Sequence, residues 1–118
     1  MSSFSEEERA REWMFDIVEY SDRVVGYVEG RSVEDFDTDT MLYDAVERCV
    51  AIITEAVIRL GPERLATIAP AVPFHAVKSL GNLLRHGYRR VDPALIWKTV
   101  TEDVPALRSA CAAAVEGK

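Results

Sequence analysis

Apolar residues recur along this chain at steps of three and four, the spacing that gathers them on one face of a helix. Trp13, Ile17, Tyr20, Val24 and Tyr27 or Val28 form the first such stripe. It follows Ser5-Glu6-Glu7-Glu8, in which the Ser5 hydroxyl and the Glu8 carboxylate can each take the other's backbone N–H, a capping box. Gly30 is expected to end this helix. Residues 31–38 carry Val33 and Phe36 and read as a connector with a turn of helix begun at Ser32. A second long helix is predicted from near Asp39, with Leu42, Val46, Cys49, Ile53, Ala56 and Leu60 at alternating steps of four and three, the seam of a helix packed along another. Gly61-Pro62 should stop it, and Pro62 should open a short third helix over 62–69, because a first turn has no partner for the missing N–H.

The fourth helix is predicted from about Pro73 to His86, with Val77, Leu80 and Leu84 inward and Gly87 as terminator. Asp92-Pro93 starts the fifth, which turns Leu95, Ile96, Val100, Val104 and Leu107 inward. Pro105 should kink or break it, at a cost of about 3 kcal/mol in a helix interior. The chain contains no pattern for a strand pair, a glycine-rich phosphate loop or an internal repeat. The expected fold is all-α, an antiparallel helical bundle of about five helices in one domain spanning 1–118.

A length of 118 residues supports one core and is too short for two. No apolar run approaches the roughly 20 residues of a membrane span. The acidic start lacks the order of a secretory signal, so the cytoplasm is the simplest location. Cys49 and Cys111 have no metal-ligand spacing and read as reduced core thiols, and neither a metal nor a cofactor is implied.

Net charge is −6, yet its distribution is uneven. Residues 1–47 hold fourteen acidic and four basic side chains, and residues 48–118 hold six acidic and ten basic. Between His75 and Val91 there is no acidic residue, while Lys78, Arg85, Arg89 and Arg90 fall in that window. The asymmetry points to an anionic partner for one face.

Lys78, Asn82 and His86 stand four residues apart, so they line one stripe of the fourth helix, away from its Val77, Leu80 and Leu84 face. Histidine titrates near neutrality and can move a proton, asparagine can orient a hydroxyl or phosphate, and a cation can neutralise phosphate charge. The set suits RNA cleavage without metal. The plainer alternative is that His86 occupies a last turn, where the helix dipole favours a positive imidazole. Glu55 and Arg59 read as an exposed i, i+4 pair, Trp13 and Trp97 as packing anchors, and His75 as unrelated to His86.

Asn82-Leu83-Leu84-Arg85-His86-Gly87-Tyr88, then Val91-Asp92, Ile96-Trp97-Lys98-Thr99-Val100 and Asp103-Val104-Pro105-Ala106-Leu107, closely resemble the HepT family of HEPN-domain proteins. So do Tyr43-Asp44-Ala45-Val46-Glu47-Arg48 and Ile53-Thr54-Glu55-Ala56, and the resemblance runs over about 24–114. It implies a homodimeric bundle acting as the toxin of a bacterial toxin–antitoxin pair, with an RNA substrate and an MNT-type nucleotidyltransferase as antitoxin. The family motif is an arginine, four to six residues, then histidine, any residue, and tyrosine. His86 and Tyr88 match its second half, and Asn82 matches the polar residue that commonly follows the arginine. By resemblance, Tyr88 is where the antitoxin transfers AMP.

The chain departs from the family where the arginine belongs, since Gly81, Leu80 and Ser79 occupy the allowed spacings. Lys78, Arg85 and Arg89 are the candidate replacement cations for phosphate, in the same subunit or across a dimer. A mid-helix glycine costs about 1 kcal/mol relative to alanine, so Gly81 is expected to mark a close approach, with the dimer seam as one option. Two other outcomes stay open: a non-catalytic HEPN partner protein that has lost cleavage through Gly81, and a helical nucleotide-binding module. The acidic first part is expected to face the antitoxin.

Overall fold

The computed structural model describes residues 5–86 and 91–117, and every regular element among them is helical. The first helix, α1, spans Glu6–Val28. Its predicted capping box is present, with Ser5 N–H donating to Glu8 Oε1 and Glu8 N–H donating to Ser5 Oγ, each at 3.1 Å. The first-turn carboxylates Glu6, Glu7 and Glu8 complement the helix dipole. Ala10, Ile17, Ser21, Val24 and Val28 are its buried face, while Trp13 and Tyr20 are half-buried and Tyr27 is exposed. Gly30 supplies the left-handed turn after the helix, with φ 73°.

The connector helix α2, Asp35–Thr38, begins three residues later than the sequence suggests. The Asp35 carboxylate accepts from the Ser32 N–H at 2.7 Å, so Ser32 acts as an entry point rather than as the first helical residue. Phe36 is fully buried and meets the Tyr43 and Trp97 rings edge-on at centroid distances of 5.4 and 5.5 Å.

The long helix α3 spans Thr40–Ile68. Its N-cap is Asp39, whose carboxylate accepts from the Leu42 N–H at 3.0 Å and pairs with Arg31 at 2.7 Å. All six seam residues from Leu42 to Leu60 are buried. At Gly61 the backbone leaves helical geometry, with φ 87° and ψ 163°, and Pro62 starts a second arm. The predicted stop and restart therefore fall inside one bent element.

Helix α4 covers Phe74–His86, and α5 covers Pro93–Lys98. Asp92 caps α5 by accepting from the Ala94 N–H at 3.0 Å. The regular helix breaks just ahead of Pro105, as expected. A π-helical segment, Thr99–Asp103, intervenes before α6, Val104–Val115, and the Val104 N–H reaches the Thr99 carbonyl. This wider turn places Pro105 in the first turn of α6, where no helical partner is lost. It keeps Ile96, Val100, Val104 and Leu107 buried, but Leu95, expected inward, is exposed.

Helix α1 packs along both α3 and α6, and α4 lies against α3. Among the described residues, two ion pairs tie the acidic first part to the basic second part: Glu7 to Arg64 at 2.9 Å and Asp22 to Arg108 at 2.9 Å. The charge asymmetry of the sequence is thus partly cancelled in space. Cys49 and Cys111 are buried free thiols, and burial pushes the Cys111 thiol up to about 11. No helix among the described residues is long and apolar enough to cross a membrane.

Candidate functional site

The candidate site is carried by α4, whose inner face is narrow. Leu80 and Gly81 are buried, and Val77 and Leu84 are half-buried against the core. Gly81 is turned towards α3. A Cβ there would meet Thr54 Oγ1 at 3.0 Å, Thr54 Cβ at 3.1 Å and Ile58 Cδ1 at 3.2 Å. The close approach expected at this glycine is therefore made within the chain. Thr54 is itself buried, with its hydroxyl donating to the Ala51 carbonyl at 2.9 Å. Position 81, one of the three spacings at which the motif arginine is expected, thus faces a packed helix.

On the outer face Lys78, Asn82 and His86 are all exposed, as their spacing predicts. Arg85 lies about 100° round the helix axis from His86, but its side chain turns back one turn. Its Nη2 donates to Asn82 Oδ1 at 2.7 Å, and its Nη1 pairs with Glu55 Oε1 on α3. The other carboxylate oxygen, Glu55 Oε2, accepts from Arg59 Nε at 2.8 Å, and Arg59 stands over the Trp13 ring at 5.8 Å. A polar chain thus runs from α1 across α3 to the stripe on α4.

Tyr88, the expected site of AMP addition, and the cation Arg89 lie outside the described residues, as do Gly87 and Arg90. The chain on the far side of that stretch is fixed by Tyr43, whose hydroxyl donates to the Val91 carbonyl at 2.8 Å. His75 is exposed beside Phe74 near the start of α4. An apolar groove of about 450 Å³ separates α4 from the α5–α6 limb and is lined by Val77, Leu80, Leu83, Leu95, Val104 and Leu107 among others.

Sequence reasoning places the stripe and misses two of its supports. Glu55 reads as one half of an exposed pair with Arg59, and that pair exists, but nothing local in the sequence discloses a second arginine thirty positions later. Tyr43 fits the buried phase of α3, and only the fold shows where its hydroxyl points.

The fold and this site define an HEPN-type helical bundle. The family model described as Ribonuclease HepT-like matches residues 17–114, and the chain belongs to that family. A protein of Methanocaldococcus jannaschii named "Putative RNase MJ1216" is 28% identical over 96 residues, covering 81% of this chain and 78% of that protein. The "Probable ribonuclease HepT" of Thermococcus cleftensis is 31% identical over 98 residues, covering 83% and 88%. A relative from Caldanaerobacter subterraneus, named "Putative RNase TTE0752", is 31% identical over 97 residues, covering 82% and 86%. No solved structure matches at a significant level.

Proposed function

We propose that this chain is the toxin of a HepT/MNT toxin–antitoxin pair, a cytoplasmic endoribonuclease that works without a metal ion, as a homodimer of single-domain subunits. The observation that carries this reading is the exposed column of Asn82 and His86 on α4, in a chain of the HepT-like family. In the reaction the ribose 2′-hydroxyl attacks the adjacent phosphorus while the P–O5′ bond breaks. His86 serves the proton transfers, removing the 2′ proton or returning one to the departing 5′ oxygen, and leaves a 2′,3′-cyclic phosphate and a 5′-hydroxyl. Asn82 orients a ribose or phosphate oxygen. Lys78, Arg85 and Arg89 are the cations available to the developing charge, a contribution of about 3 kcal/mol when one such group is well placed.

Silencing follows when an MNT-type nucleotidyltransferase joins the α-phosphate of ATP to the Tyr88 hydroxyl and releases pyrophosphate. This places a bulky anion two residues from His86. The deciding experiment is cleavage of labelled single-stranded RNA by purified protein, shown by intact mass to carry no AMP, beside His86→Ala. Cleavage that disappears in the variant supports the reading. Absence of cleavage in both favours the second reading, a non-catalytic HEPN partner protein, for which the packing of Gly81 on Thr54 is the specific support.

A further inference from the structure

We propose that Glu55 is a positioning residue that aims Arg85 at the scissile phosphate, so that Arg85 is the cation standing in for the arginine that position 81 lacks. The inference rests on the ribonuclease reading and deepens it. Position 81 has no side chain, and a Cβ there would press on Thr54 and Ile58, so the charge has to come from elsewhere. Among the candidates, Arg85 is the one the described contacts hold in place. Its side chain is 42% exposed, yet one amino group is bound to Asn82 on the catalytic stripe and the other to Glu55 on α3. Two helices therefore fix the guanidinium beside Asn82, one turn from His86. A guanidinium has five N–H groups, and these two contacts leave donors over for a phosphate oxygen.

The charge count also suits a phosphate. A lone Glu55–Arg85 pair would be neutral and would compete with the substrate. Here one carboxylate is shared by Arg85 and Arg59, so the cluster keeps one net positive charge. Glu55 can then hold Arg85 in position without cancelling it. Removing the carboxylate should leave the cation's pull on RNA in place while loosening its aim.

The test uses the full chain, checked by intact mass, with two readouts: steady-state cleavage of labelled single-stranded RNA, and anisotropy binding of a fully 2′-O-methylated RNA across a salt series. Arg85→Ala should lower kcat about 100-fold and reduce the salt slope of binding by about one. Glu55→Gln keeps the size and an acceptor. It should lower kcat about tenfold while binding RNA as tightly, a split that general loss of structure does not produce. A rise of kcat together with affinity in Glu55→Gln would mean that Glu55 masks the cation, and would overturn the proposal. So would unchanged values in Arg85→Ala. If the wild-type protein binds but does not cleave, the ribonuclease reading fails separately and the binding arm decides: looser binding with a smaller salt slope in Arg85→Ala, and unchanged binding in Glu55→Gln, supports a cation held in place and not masked, whereas no change in Arg85→Ala or clearly tighter binding in Glu55→Gln refutes it.

Discussion

The two sides of α3 are built differently. Towards α1, on which α6 also packs, it meets a largely apolar surface, in which Ile17, Val24, Val46, Val57, Val100 and Cys111 are essentially sealed from water. Towards α4 the buried contribution of the facing helix shrinks to Leu80 and Gly81, and an open groove takes the place of packing beside them. What secures α4 is the packing of Leu80, Val77 and Leu84 together with a close backbone approach at Gly81 and an ion pair at Arg85. Stability is concentrated where no chemistry is proposed. The proposed catalytic column rides on the outer face of a helix whose inner face is packed on α3, which leaves that outer face to an RNA strand.

The largest test of this contrast compares truncations at a sealed and at an open position. Phe36→Ala removes a fully buried ring wedged between Tyr43 and Trp97 and should cost about 4 kcal/mol in urea unfolding. Leu83→Ala, on the exposed edge of α4, should cost less than about 1 kcal/mol. Comparable losses would mean that the edge of α4 is as firmly built into the core as the connector helix α2.

Next in size is Gly81→Arg. The substitution restores the family's residue type, but the new side chain starts against Thr54 and Ile58. The expected result is a loss of about 2 kcal/mol of stability from overpacking, with no gain in cleavage. Gly81→Ala should stay within about 0.5 kcal/mol of wild type, because better helix propensity offsets a contact that needs only a few tenths of an ångström. A stabilisation of the full propensity difference would show that the approach of α4 is not tight.

A smaller effect belongs to the packed side. Ser21 is fully buried on α1, and its hydroxyl has no hydrogen-bond partner among the described residues. Ser21→Ala removes that unpaired group and should raise stability by about 1 kcal/mol, read from the unfolding midpoint. A loss instead would reveal a bond to the hydroxyl.

The same contrast explains what can be read from the chain alone. The capping box at Ser5, the seam on α3, the break at Gly61 and the cap at Asp92 are local patterns, and each lies where its residues demand. Pro105 marks the break in the regular helix, but the form of that break is not legible in the sequence. One extra residue in the preceding turn relocates the proline to a helix start. The stripe on α4 is legible as a period of four. Its supports are not, since Glu55 and Arg85 are thirty residues apart, and the charge imbalance between the halves conceals the Glu7–Arg64 and Asp22–Arg108 pairs that fold them together.

Acid should weaken the packed side in two separable steps. The Leu42 N–H, and then Arg31, hold the Asp39 carboxyl below its ordinary value, and the Arg64 guanidinium does the same for Glu7. In both cases the folded pKa lies below the unfolded one. The stabilisation is therefore fully present above pH about 4 and is lost as pH falls through the folded value. Asp39→Asn keeps a capping acceptor that does not titrate, so its unfolding midpoint should drop less than wild type's between pH 6 and pH 3. Glu7→Gln should flatten the same limb by a smaller amount. Salt distinguishes them, because Glu7–Arg64 is an exposed pair that 1 M salt screens, whereas the leading contact of Asp39 is a backbone N–H at 3.0 Å. An acid limb that vanished entirely in high salt would place the helix cap among the minor contributions and leave surface pairing as the link between the acidic and basic halves.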